Sequence, residues 1–178
     1  AVSGAGKAPM DELFDQSKKY LEGKKINSQN FTKQIAFNLI PHIDVFEKDG
    51  YTKEELKMTN ETKKILGDEI EVTATCVRVP VRTGHSESIN IEFENLYDFE
   101  NIMKILKTAP GCKVVDERKD GGYITPLEAE GDYTTFISRI RKDNSNIIAI
   151  NLLVVSDNLL KGAALNTVQI AESLMKKI

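Results

Sequence analysis

The sequence is poor in cysteine and has no long hydrophobic run, and each shortage excludes a class of protein. Two cysteines, Cys76 and Cys112, are too few for a disulfide-stabilised secreted domain, and they lack the paired spacing of a zinc site. Neither has an evident base to activate it as a nucleophile, and Cys76 lies on a predicted core face, where we expect it to be buried. No apolar run approaches the roughly 18 residues of a membrane span, and no basic segment precedes a hydrophobic one at the N-terminus. We therefore expect a cytoplasmic protein with reduced thiols and no metal site.

An excess of charge of one sign is also lacking. The 178 residues carry a formal net charge of −3, whereas nucleic acids and anionic membranes favour clustered Lys and Arg. We expect neither as a partner, although a small anion in a local pocket is compatible with this charge. With 40% hydrophobic and 29% charged residues, the chain has the composition of a single globular domain or a large piece of one.

Complete phosphate-binding motifs are missing as well. The segment Gly4-Ala5-Gly6-Lys7 resembles the end of a P-loop, but the first Gly of that motif is absent and Ala8 stands where a Ser or Thr is needed. A dinucleotide fingerprint fails because Pro9 occupies the place of its third Gly. The glycines still allow backbone N–H groups to approach a ligand before a helix.

Apolar periodicity and turn residues predict an α/β (α+β) fold. Helices are expected from Pro9 to near Gly23, from the N-cap Thr52 to Gly67, over 97–108, and after Asp157. Strands are expected over 35–43, 70–79, 86–94, 113–116, 134–141 and 147–155, and residues 113–133 are expected to make a surface excursion. Because several strands follow one another directly, we expect a mixed, mostly antiparallel sheet with helices mainly on one face.

A candidate catalytic pair lies between two predicted strands. Alternation places Arg78 on the apolar face of the strand 70–79 and His85 on the apolar face of the next strand, both at one end. If the strands form a hairpin, the guanidinium can hold a carboxylate beside an imidazole that moves a proton near neutral pH. The spacing leaves open a simpler alternative, an ion pair from Arg78 to Glu87 or Glu71 with His85 hydrogen-bonded in a loop.

Helix starts account for the other polar candidates. Thr52 and Glu55 have the spacing of a capping box, and Lys57 is most simply a solvated surface residue. Asp157 and Asn158 are typical helix caps.

Six blocks in one order resemble aspartate-semialdehyde dehydrogenases: AVSGAG at 1–6, AFNLIPHID at 36–44, YTKEELKM at 51–58, ATCVRVPV at 74–81, GHSES at 84–88 and DNLLKGAA at 157–164. The resemblance is to the C-terminal portion, which supplies substrate-binding residues and the dimer interface. It implies the C-terminal domain of the glyceraldehyde-3-phosphate dehydrogenase-type fold. It also implies a homodimer or homotetramer, with the terminal helix packed on an N-terminal Rossmann domain.

The resemblance implies NADP-dependent interconversion of L-aspartyl 4-phosphate and L-aspartate 4-semialdehyde with phosphate, on the path to lysine, threonine and methionine. In that family a Cys attacks the carbonyl and hydride passes to or from the nicotinamide. The implied roles are His85 as acid/base, Arg78 as the α-carboxylate clamp and Lys57 as a phosphate ligand. Glu55, or its neighbour Glu54, is implied to orient the substrate amine, and the implied cofactor contacts are Ser3, Gly4 and Asn158.

The family's nucleotide-binding domain and nucleophilic Cys have no counterpart in the sequence. The chain begins without Met inside a glycine-rich turn, so we expect further sequence upstream. Without a thiolate the covalent route is closed, and the chain by itself is expected to be inactive. The competing hypothesis is a noncatalytic module that self-associates or binds an acidic metabolite.

Overall fold

The computed structural model describes residues 1–176, which divide into two compact units. The N-terminal unit comprises Gly4–Pro80 together with Val2. The sheet unit comprises residues 81–176 together with Ala1 and Ser3. None of the helices within residues 1–176 has the length and apolar character needed to cross a membrane.

Two helices organise the N-terminal unit. Helix α1 spans Lys7–Leu21 after a 3₁₀ turn at Val2–Ala5, and helix α2 spans Lys53–Leu66. Both helices were predicted, and the capping box of Thr52 and Glu55 and the stop at Gly67 are confirmed. The buried apolar core of the unit is small and consists of Val2, Leu13, Ile35, Ala36 and Ile40.

The two strands predicted in this unit are wrong. As the structure describes them, residues 35–43 and 70–79 form no ladder, and one antiparallel bridge joins Ile40 to Arg78 through N···O distances of 2.9 and 2.8 Å. A β-rich composition favours extended backbone, but an extended segment becomes a strand only where a second backbone pairs with it. Cys76, predicted to be buried, is partly exposed.

Helix α1 buries polar side chains and leaves several large apolar ones exposed. Leu13 is buried, but Phe14, Tyr20 and Leu21 are exposed, whereas Glu12 and Gln16 are buried.

Glu12 and Gln16 attach the loop before Ile35 to helix α1. Glu12 accepts hydrogen bonds from the backbone N–H groups of Gln29 at 2.9 Å and Asn30 at 2.7 Å. Gln16 Nε2 donates to Glu12 at 2.7 Å, and Gln16 Oε1 accepts from Ile35 N–H at 2.9 Å. These side chains satisfy loop amides that no ladder reaches, which explains how a polar segment packs here without becoming a strand.

Replacing Glu12 with alanine is expected to lower the free energy of unfolding by about 1–3 kcal/mol at pH 7, because the amides of Gln29 and Asn30 lose their acceptor. Burial raises the pKa of Glu12, but the hydrogen bonds from Gln29 and Asn30 outweigh it and hold the pKa below its usual value. A lowered folded pKa stabilises the protein above the unfolded pKa of about 4.3, and this contribution is lost as pH falls through the folded pKa.

Urea unfolding at pH 7 and pH 3 measures this effect. The cost of Glu12→Ala should shrink at pH 3, and an equal cost at both pH values would contradict the assignment. Asp15→Ala is the matched control, because Asp15 forms an exposed ion pair with Lys19 on the same helix and should change stability by less than about 0.5 kcal/mol.

Four strands form the sheet unit in the order β1–β4–β3–β2, and they are β1 His85–Glu92, β2 Cys112–Val114, β3 Thr135–Lys142 and β4 Ala149–Ser156. Strand β4 runs antiparallel to β1 and β3, and the short β2 is parallel to β3. The mixed, mostly antiparallel sheet and four predicted strands are therefore confirmed. The predicted hairpin of 70–79 with 86–94 is wrong, because β1 pairs along its length with β4 from His85↔Ser156 to Glu92↔Ala149.

Each face of this sheet buries an apolar cluster. Helix α3, Phe99–Thr108, packs on the larger cluster of Ile137, Ile140, Ile150 and Leu152. The one-turn helix α4, Pro126–Ala129, lies within the predicted surface excursion and contributes Ala129 to a smaller cluster with Phe136 and Val155. Because neighbouring residues of a strand face opposite ways, Phe136 and Ile137 mark the two faces. After β4 the chain forms a π-helix at Leu160–Leu165 and helix α5 at Asn166–Met175, the predicted terminal helix.

Candidate active site

Arg78 is held in the N-terminal unit by its backbone bridge to Ile40, and its side chain is partly buried. Loss of surrounding water lowers the pKa of the Arg78 guanidinium, and electrostatic interactions with Glu54 and Cys76 oppose this shift. A partly dehydrated guanidinium is suited to binding a carboxylate ligand by two hydrogen bonds.

Glu54 and Lys57 lie on the first turns of helix α2 and form an ion pair. Lys57 Nζ lies 3.6 Å from Glu54 Oε1, and their side chains are 48% and 29% exposed, so both charges remain accessible. The spacing of three residues places both side chains on one face of the helix. The N-terminal unit therefore contains one carboxylate and two cations among these three side chains, Glu54, Lys57 and Arg78.

The side chain of Glu55 has a structural role, because it binds two backbone amides. Its Oε2 accepts the Thr52 N–H at 2.8 Å, and its Oε1 accepts the Cys76 N–H at 2.8 Å. The hydrogen bonds from these two amides hold the pKa of Glu55 below its usual value despite burial. Glu55 thus joins the start of helix α2 to the segment that carries Arg78, which fixes Arg78 relative to Glu54.

Sequence reasoning assigned no role to His42, which also lies in the N-terminal unit. Its ring stacks on Phe46 at 4.3 Å between centroids, and its electrostatic interaction with Glu55 is the smallest of the causes acting on the pKa of that carboxyl group, which is lowered. Among the described residues, its Nε2 is the one buried side-chain polar atom without a hydrogen-bond partner. A Pro-His pair in a loop carries no pattern that would have identified it.

His85 is the first residue of β1 and is exposed in the sheet unit. Alternation places it on the same face as Ile89 and Ile91, as predicted, and both of these pack on the larger cluster of the sheet. Glu87 lies between His85 and Ile89 on that face, and loss of surrounding water raises the pKa of its carboxyl group. An exposed imidazole at the end of a strand can take part in proton transfer near neutral pH.

Ser3 and Asn158 are brought together in the sheet unit. The buried Ser3 hydroxyl donates to Asn158 Oδ1 at 2.9 Å, and Ser3 N–H donates to the Arg82 carbonyl at 3.0 Å. Asn158 Oδ1 also accepts the Gly84 N–H at 2.9 Å. Gly4 is exposed, so its backbone is accessible to a ligand.

The predicted site residues are distributed over both units. Arg78 belongs to the N-terminal unit and His85 to the sheet unit, so their pairing at a shared cleft stays a prediction. The alternative partner Glu71 instead pairs with Lys63, at 3.0 Å. Within residues 1–176, no group of three or more His, Cys, Asp or Glu side chains is arranged to hold a metal ion.

Comparison with known proteins gives a consistent set of matches. The family model described as "Semialdehyde dehydrogenase, dimerisation domain" matches residues 1–161. Aspartate-semialdehyde dehydrogenase from Rickettsia bellii is 53% identical over 177 residues, which are 99% of this chain and 52% of that protein. The enzyme of the same name from Aquifex aeolicus is 51% identical over 179 residues, 99% of this chain and 53% of that protein.

Solved structures agree with these matches. Aspartate semialdehyde dehydrogenase II from Vibrio cholerae, complexed with ASA, superposes with a TM-score of 0.93 at 45% identity and covers 98% of this chain and 52% of that chain. The Candida albicans enzyme with NADP has a TM-score of 0.65 at 28% identity and covers 79% of this chain and 45% of that chain. The chain spans about half the length of the relatives it matches.

Proposed function

This chain belongs to the semialdehyde dehydrogenase dimerisation-domain family and corresponds to the C-terminal part of aspartate-semialdehyde dehydrogenases. From this premise we propose that it supplies the substrate-binding and proton-transferring half of such an enzyme. The proposed reaction interconverts L-aspartyl 4-phosphate and L-aspartate 4-semialdehyde with NADP as the hydride carrier, in the biosynthesis of lysine, threonine and methionine.

The observation that carries this proposal is the charge arrangement of the N-terminal unit. Arg78 interacts electrostatically with Glu54. Glu54 Oε1 in turn lies 3.6 Å from Lys57 Nζ. The substrate carries an α-carboxylate, an α-ammonium group and a phosphate, so its charges are opposite to those of Arg78, Glu54 and Lys57 respectively. Arg78 binds the carboxylate through its planar fork, and Lys57 meets the phosphate as a point charge.

Glu54, in place of Glu55, is the proposed ligand of the substrate amine. Both oxygens of Glu55 already accept backbone amides, from Thr52 and Cys76. The Glu54 carboxylate is 29% exposed, and its contact with the exposed Lys57 ammonium at 3.6 Å is one that a substrate amine can replace. Glu55 then contributes indirectly, because it holds the segment on which Arg78 lies.

Paired substitutions separate these two roles. Glu54→Gln is expected to lower kcat/KM by about 10–100-fold with an unchanged melting temperature, since one charged hydrogen bond to the amine is weakened. Glu55→Gln is expected to lower the melting temperature by several degrees, because an amide presents only one acceptor oxygen to two backbone donors. The two enzymes are compared by steady-state kinetics and thermal unfolding, and the reverse distribution of effects would show that Glu55 is the ligand.

His85 is the proposed acid/base, and NADP supplies or accepts the hydride when bound. The residues of this chain fit only one end of that cofactor. The exposed Gly4 backbone is accessible, whereas the hydroxyl hydrogen of Ser3 is directed to Asn158. Most of the contacts to NADP are therefore proposed to come from the part of the enzyme outside this chain.

Self-association as a homodimer or homotetramer is part of the proposal. The matching family model is described as a dimerisation domain. Large apolar side chains of the N-terminal unit are also exposed, among them Phe37, Leu39 and Phe46 at 61%, 56% and 62%. Exposed apolar surface of this kind favours association.

A complementation assay tests the proposed function. The purified 178-residue chain is expected to show no NADP-dependent turnover of aspartate semialdehyde, because it lacks a thiolate to form the covalent intermediate. Addition of a separately expressed nucleotide-binding domain from a relative should restore turnover, and the same domain carrying Cys→Ala at its nucleophile is the control. Turnover by the chain alone, or no turnover by a complex that demonstrably forms, would contradict the proposal.

A further inference from the structure

Asn158 lies where the sheet unit brings three chain segments together. It lies two residues after the end of β4 and is partly buried. Its Oδ1 accepts the Ser3 hydroxyl and the Gly84 N–H, each at 2.9 Å. A side-chain carbonyl oxygen has two acceptor positions, so these two donors use its capacity fully.

Gly84 is the residue directly before His85, and its backbone is confined from a second side. Its φ is +95°, and a Cβ placed there would lie 3.0–3.2 Å from Pro126. Gly84, the residue that leads into His85, is thus held between the Asn158 side chain and the first residue of α4. On its other side, His85 is paired with Ser156 at the end of the β1–β4 ladder.

The neighbouring residue Asp157 fixes the backbone of Asn158. Asp157 is 3% exposed. Its Oδ1 accepts the N–H groups of Leu159 and Leu160 at 2.8 and 3.1 Å, and its Oδ2 accepts the Gly131 N–H at 2.9 Å. The turn that carries Asn158 is therefore joined both to the following helix and to the loop after α4, so Asn158 is a rigid support.

We propose that Asn158 is a positioning residue for His85, acting through the Gly84 amide. The inference rests on the proposed acid/base role of His85. The family resemblance implied that Asn158 contacts the cofactor, but the bonds to Ser3 and Gly84 direct its amide oxygen toward the protein's own backbone and side chains. Proton transfer depends steeply on the placement of the imidazole, and a displacement of about 1 Å can cost about 10²-fold in rate.

The first test is structural and needs no activity. In the 178-residue chain, Asn158→Ala is expected to accelerate hydrogen exchange of the Gly84 amide by about tenfold or more and to shift the ring resonances of His85 in NMR spectra. The chain has two histidines, so His42→Phe assigns those resonances. Ser3→Ala is the matched control, because it removes the other donor to Asn158 and should leave the Gly84 amide protected.

The second test uses the full-length enzyme. Asn158→Ala is expected to lower kcat by about 10–100-fold with KM for NADP changed less than about threefold, and Asn158→Asp, which keeps the acceptor oxygen, should recover Gly84 protection and most of kcat. A raised KM for NADP at unchanged kcat would make Asn158 a cofactor contact and overturn the inference, as would unchanged Gly84 exchange in Asn158→Ala. If the wild-type enzyme has no activity, the proposed function fails while the exchange experiment still decides whether Asn158 holds Gly84.

Discussion

Replacing His85 with glutamine in the reconstituted enzyme is expected to lower kcat by about 10²–10⁴-fold, the usual contribution of a positioned acid/base. Glutamine keeps hydrogen-bonding capacity but cannot exchange a proton near neutral pH. His85 is exposed at the start of β1, so the substitution removes no core contact and the fold should persist. The loss should therefore appear in kcat with little change in melting temperature.

His42→Phe is the control for this experiment, since it replaces the other histidine and keeps the stacked contact with Phe46. Its kcat should stay within about threefold of the wild-type value, and removal of the unpartnered buried Nε2 should not reduce stability. Near-normal kcat in His85→Gln would refute the acid/base assignment.

The second large effect is expected at Arg78. Arg78→Lys keeps the positive charge but replaces a planar two-bond donor by a point donor, so kcat/KM for aspartate semialdehyde should fall by about 10²–10³-fold. This corresponds to about 3–4 kcal/mol, roughly the value of two charged hydrogen bonds. The partial burial of Arg78 makes this value larger than for a surface arginine.

Arg82→Lys is the matched control four residues along the chain. Arg82 forms an exposed ion pair with Glu130 at 2.9 Å, which lysine can replace, so its kinetics should be unchanged. A substrate that lacks the α-carboxylate sharpens the test, because it should lose reactivity with the wild type but lose little more with Arg78→Lys. Equal losses in both arginine variants would point to a general charge effect and contradict a specific clamp.

Secondary-structure elements that depend on residues close in sequence were predicted correctly, whereas the pairing of strands distant in sequence was not. Helix α2 was predicted with its capping box and its stop because Thr52, Glu55 and Gly67 act within their own helix. Strands β3 and β4 were predicted because their apolar runs are buried by any sheet that forms. Residues 70–79 show the limit: their β-branched alternation is real, but β1 pairs with β4, 57 to 71 residues away, and leaves them without a ladder.

The candidate site shows the same division. The residue types suited to binding a charged amino acid were recognisable along the chain. The choice between Glu54 and Glu55, however, depends on a shift of one residue along the same helix, which points the two side chains in different directions. Only the folded structure shows that both carboxylate oxygens of Glu55 accept backbone N–H groups, those of Thr52 and Cys76. The buried Glu12 and Gln16 were missed for a related reason, because their partners lie 17 to 20 residues away and follow no periodic pattern.

By itself the sequence determined helices α1, α2, α3 and α5, the capping box of α2, the mixed sheet and the family to which the chain belongs, since these follow from local propensity, periodicity and residue identity. The tertiary structure decided which strands pair, which carboxylate is left for a ligand, and which side chain supports the peptide before His85. Those outcomes depend on hydrogen bonds between segments distant in sequence, as Asn158 shows by accepting donors from Ser3 and Gly84. A backbone N–H takes whichever acceptor the fold brings to it, and no local pattern encodes that choice.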